Sequence, residues 1–143
     1  MEKPEKTLWN YSIRNSHNVK QIANAKIKCV LYIIDNYCKD IYIEYHLLNI
    51  LKNYTFSKLT ESDLTDEIAE YKHDYYLYRV RESEYEAHPP LDKYDLIMES
   101  IFCACDTIDY NIYDFFSNLY NAIEEMPQYY IKQLQNIVDC TLA

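Results

Sequence analysis

No glycine occurs in the 143 residues of this chain, whereas glycine averages about 7% of ordinary proteins. Glycine enters positive φ without steric cost and lets backbone approach a ligand closely. Its absence removes the Walker loop, the dinucleotide-binding turn and the nucleophile elbow, each of which needs one or the other. The favoured two-residue hairpin turns go with it, so helices are expected. A left-handed helix cap must then be made by another residue, and the 11 asparagines are the expected substitutes.

Ile, Asn and Lys number 16, 11 and 11, while Ala and Arg number 7 and 3. That pattern follows codon base content and points to an AT-rich genome: a large DNA virus, a low-GC bacterium or its phage, or a parasite. It also accounts for 17 tyrosines without any function. The net charge of −9 repels a phosphate backbone, so a nucleic-acid partner is not expected. The acidic residues are spread along the chain, as on a solvated surface. Mimicry of nucleic acid would instead need them gathered on one face.

The opening MEKPEKTLWN carries no secretory signal pattern. The longest apolar run, Cys29 to Ile34, is far too short to cross a bilayer. A cytoplasmic location without membrane contact is expected. Cys29, Cys38, Cys103, Cys105 and Cys140 are odd in number and read as reduced, mostly buried thiols. Cys103 and Cys105 would point about 200° apart on a helix, and there is no Cys-x-x-Cys. Neither a metal nor a cofactor is expected.

The length suits one domain. Residues 1–16 lack periodicity and are expected to form an arm, pinned to the body by Trp9, with a single helical domain over 17–143. Apolar residues at three- and four-residue steps predict six helices, at about 18–37, 41–54, 60–87, 91–106, 109–126 and 127–141. Asp40 is the expected cap of the second. Thr60 heads a TESD capping box for the third, which His88-Pro89-Pro90 ends. The expected fold class is all-α: a compact bundle of about six helices.

The third helix ends in EIAEYKHDYYLYRVRESEYEAHPP, which holds five tyrosines. At 100° per residue, Ile68, Tyr71, Tyr75 and Tyr78 fall within about 40° of Leu64 and form a core face. Tyr76, Leu77 and Val80 lie nearer the opposite side. A helix apolar on two faces is either central to its fold or covers a second surface. The first reading places helix three inside the bundle. The second makes Tyr76, Leu77 and Val80 a protein-binding groove or a homodimer face, suited to a helical ligand.

Arg81 and His88 have six residues between them, which is similar to the Arg–x(4–6)–His pair of HEPN ribonucleases; Glu82 follows the Arg where that family has Asn, Asp or His. No other motif orders a catalytic set. As a small, acidic, all-helical chain with AT-biased coding, residues 18–142 resemble the poxvirus Bcl-2-like immunomodulators. The resemblance implies about seven helices around a central hydrophobic one and no enzyme activity. It implies binding of host signalling or pro-apoptotic proteins, often as dimers. The expected function is therefore a non-enzymatic protein-interaction module that inhibits host innate signalling or apoptosis by sequestration. The alternatives are an acidic nucleic-acid mimic that blocks a defence system, and a HEPN-like ribonuclease.

Overall fold

The computed structural model describes residues 19–85, 92–106, 112–123 and 126–142. Six helices order them: α1 (Val19–Tyr37), α2 (Tyr45–Thr55), α3 (Glu61–Tyr85), α4 (Lys93–Cys105), α5 (Ile112–Ala122) and α6 (Gln128–Leu142). There is no strand among the described residues, so the all-α bundle expected from the sequence is what forms. The arm, Trp9 and the His88-Pro89-Pro90 stop lie outside the described residues.

The helix at the centre is α1, not the third. Ile22, Ala23, Ala25, Lys26, Ile27, Cys29, Val30, Ile33 and Ile34 are all buried, so α1 is enclosed around most of its circumference. It packs against α2, α4, α5 and α6. By contrast α3 packs on α2 and α4 through a narrow stripe of Leu64, Ile68 and Tyr75. The reading that buried helix three inside the bundle is overturned. Six acidic side chains along it (Asp63, Asp66, Glu67, Glu70, Asp74 and Glu84) stay exposed among the described residues.

Burial of Lys26 at 2% exposure follows from how α1 and α4 meet. The helices run antiparallel. Lys26 Nζ donates to the Cys103 carbonyl at 2.8 Å and lies 3.5 Å from that of Asp106, at the C-terminal end of α4. At the other end Lys93 Nζ donates to the Tyr37 carbonyl at 3.0 Å and to Asp40 Oδ1 at 3.1 Å, beyond the C-terminus of α1. Each helix thus supplies a cation to the other's terminal carbonyls, where the helix dipole favours positive charge.

Asp40 is therefore not the cap of α2, which begins four residues later than expected, at Tyr45. Residues 42–44 are not helical, and Ile43 turns into the core while Tyr42 and Tyr45 face solvent. The expected box at α3 does form: Asp63 N donates to Thr60 Oγ1 at 3.1 Å and Thr60 N to Asp63 Oδ2 at 3.2 Å. A second, unforeseen box starts α4, where Asp95 N donates to Asp92 Oδ1 at 2.9 Å and Asp92 N to Asp95 Oδ2 at 3.1 Å.

The left-handed cap falls on a serine rather than an asparagine. Ser57 has φ 59° after α2, with Lys58 N donating to the Asn53 carbonyl at 2.9 Å and Ser57 N to that of Tyr54 at 3.0 Å. This is a complete Schellman arrangement with a side chain where glycine usually sits.

Two stability predictions follow from these caps. Lys26→Met keeps the volume but removes a charged donor from two part-buried carbonyls, and urea unfolding is expected to show a loss of about 2 kcal/mol. Ser57→Gly relieves the left-handed strain and is expected to gain about 0.5–1 kcal/mol after the entropy of a freer unfolded chain.

Candidate functional site: the cleft beside α3

On α3, positions 64, 68 and 75 face the core, and Tyr71 flanks them with its hydroxyl donating to Glu44 Oε1 at 3.3 Å. Tyr78, expected on the same face, is 43% exposed instead. Most described residues of α3 beyond Tyr75 are likewise exposed.

One buried carboxylate fastens that end of α3. Asp95 on α4 accepts from the Tyr75 hydroxyl at 3.1 Å and from Arg79 Nη1 at 3.2 Å. Burial pushes its carboxyl above the ordinary aspartate range. Burial and the adjacent Asp95 push the Tyr75 phenol up as well. The Tyr75 ring stacks at 5.5 Å on Phe102 of α4 and at 5.6 Å on Tyr76.

Next to this anchor a cleft opens between α3 and the α4–α5 pair. The larger part holds about 430 Å³ and is lined by Lys72, Tyr76, Glu99, Phe102, Cys103, Asp106, Ser117 and Asn118. A smaller part of about 210 Å³ continues along α3 past Thr65, Ile68 and Ala69, with Lys72 and Phe102 bordering both. Thr65, Ala69, Lys72 and Tyr76 recur at steps of four, three and four, which sets them on one flank of the helix. The Tyr76 and Phe102 ring centroids stand 6.2 Å apart at 41°, forming an aromatic corner.

Burial also raises the Glu99 carboxyl; the Arg79 and Lys72 cations pull it back down and the Asp95 carboxylate adds to the rise. The Tyr76 phenol is raised by burial first, then by Glu99 and Cys103. The Cys105 thiol is pushed up to about 12 by burial, and Cys29 and Cys38 are raised for the same reason, so none of the three is a ready thiolate. All five cysteines are free, and Cys140 is exposed rather than buried. Among the described residues no group of three His, Cys, Asp or Glu side chains is placed to hold a metal. No described helix is long and apolar enough to cross a membrane.

Of the three residues singled out in the sequence, Tyr76 lines the cleft. Leu77 and Val80 are exposed on the same helix and do not join Tyr76 in the cleft wall. Arg81 is exposed, and His88 lies outside the described residues. The sequence reading missed Lys72, Glu99, Asp106, Ser117 and Asn118. Glu99 carried a signal, being the single charge within the apolar run Leu96–Cys105; the others carried none.

No protein-family model matches this chain, and no curated protein or solved structure matches it.

Glu99 gives the site a pH signature. Its folded-state pKa is raised, so ionisation there opposes folding, and that cost is fully present above the raised pKa. Glu99→Gln is expected to raise Tm at pH 7. The gain should shrink as pH falls through the raised pKa, and vanish below the ordinary glutamate range, where the wild-type group is protonated in both states. Thermal melts of both proteins across the acid limb check this; a gain independent of pH would contradict it.

Proposed function

We propose that this chain is a non-enzymatic binding module that captures a protein partner on α3 and its cleft. One observation carries the reading. Tyr76, Leu77, Tyr78 and Val80 are 42%, 43%, 43% and 57% exposed within little more than one turn of a 25-residue helix. Such apolar exposure on one element marks an interaction surface more often than chance scatter. Tyrosine is also a favoured interface residue, being large, amphipathic and low in rotamer entropy. The Asp95 anchor keeps this part of α3 ordered, so a partner would meet a preformed surface. Set beside the resemblance to the poxvirus Bcl-2-like proteins, the action would be stoichiometric: sequestration of a host signalling or apoptotic protein in the cytoplasm.

A second reading, mimicry of nucleic acid, has an observation of its own. Asp63, Glu67, Glu70 and Asp74 are all exposed and recur at steps of four, three and four on the outer flank of α3. They advance by about 4.5–6 Å per charge along the helix, against about 3.4 Å per phosphate along a DNA strand.

Affinity purification followed by mass spectrometry, with two variants, separates the readings. Tyr76→Ala with Val80→Asp alters the apolar patch; Glu67→Gln, Glu70→Gln and Asp74→Asn neutralise the stripe and spare Asp63, which caps the helix. The docking reading expects the first variant to lose its partner while keeping its helical circular dichroism. A folded first variant that keeps every partner would sink the reading. Loss confined to the second variant would favour mimicry.

A further inference from the structure

We infer that the cleft between α3 and the α4–α5 pair receives an arginine side chain of the protein partner, an inference that rests on the docking reading above. The walls call for a flat cation. Tyr76 and Phe102 form an aromatic corner at 6.2 Å, and aromatic faces attract a guanidinium through their quadrupole. Glu99 and Asp106, both acidic, line the same cavity. A guanidinium stacks on rings and forks to a carboxylate at once, which the point charge of a lysine does not. Ser117 and Asn118 add neutral acceptors from α5 for remaining N–H groups.

Size and charge agree. A cavity of about 430 Å³ stands at the small end of ligand sites; it admits one long side chain and is too narrow for a whole helix about 10 Å across. Lys72 is the cation of the lining, beside the acids Glu99 and Asp106, and the buried Lys26 holds the Cys103 and Asp106 carbonyls behind it. Burial outweighs the Lys72 and Arg79 cations at Glu99, so a further cation in contact would restore what desolvation removes. Outside the cleft, Glu67, Glu70 and Asp74 and the net charge of −9 would draw in a basic segment and speed its encounter. The occupant is thus a basic stretch of a partner, with one arginine seated between Tyr76 and Glu99.

An NMR titration of the labelled protein with N-acetyl-arginine amide tests this, with the uncharged isostere N-acetyl-citrulline amide as control and chloride matched. Saturable shifts are expected at the Cys103, Asp106, Ser117 and Asn118 amides with the arginine probe alone. In Glu99→Gln, a variant expected to be more stable than wild type at neutral pH, binding should weaken about tenfold. An equal response to the citrulline probe, shifts confined to the outer flank of α3, or unchanged binding by Glu99→Gln would each overturn the assignment. If Tyr76→Ala with Val80→Asp loses its partner while the arginine titration is silent, the arginine assignment fails and the docking reading stands. Saturable arginine binding beside undisturbed partner capture would overturn the docking reading, and with it the partner as the arginine's source.

Discussion

The pair of lysines that joins α1 to α4 is the contact on which the rest of the molecule depends. Helix ends expose carbonyls, and a chain without glycine lacks the usual residue for folding backbone over them. Here Lys26 and Lys93 reach across an antiparallel pair and supply the missing donors. Burying an ammonium at 2% exposure carries a desolvation cost, offset only when acceptors are correctly placed. The two contacts therefore fix the offset of α4 along α1 as well as its distance. With that offset set, Asp95 stands opposite Tyr75 and Arg79, and Glu99, Phe102 and Cys103 line the cleft.

Features that depend on neighbours in sequence were legible there. Six helices and the Thr60 box follow from local periodicity and local hydrogen-bonding options. What escaped detection was decided by groups far away in the chain. Asp40 has every local qualification as a cap, yet its carboxylate is held by Lys93, 53 positions on. Lys26 reads as a break in the apolar stripe of α1, and only the end of α4 explains its burial. The reading that placed the third helix at the centre failed for the same reason. Tyrosine on α3 and isoleucine on α1 both satisfy a helical stripe, and a wheel cannot say which stripe is enclosed and which protrudes.

The cleft was half legible for a related reason. The wheel separated Tyr76 from the core tyrosines, and the structure gives that separation a meaning: Tyr75 turns inward to Asp95 and Tyr76 turns to the cleft. It also grouped Tyr76 with Leu77, which leaves the helix in a different direction, and with Val80, which lies one turn further along the same flank and outside the cleft lining. The other wall comes from α4 and α5, where Glu99, Ser117 and Asn118 look like ordinary surface residues. Their convergence is a product of how those helices pack, and no spacing within one helix encodes it.

Asp95 and Glu99 sit one helical turn apart on α4, and both have carboxyls raised by burial, but their situations differ. Asp95 accepts from Tyr75, Arg79 and the Asp92 backbone, so the donors that meet its charge belong to the fold. Glu99 faces the cavity, where the Lys72 and Arg79 cations offset its burial in part. A structural carboxylate gains from being enclosed by donors of its own chain. One held at a cleft beside two aromatic rings is matched only in part by cations of its own chain. The same pair of residues thus separates what holds α3 in place from what α3 presents: Asp95 fixes the helix, and the imbalance at Glu99 is available to whatever enters beside it.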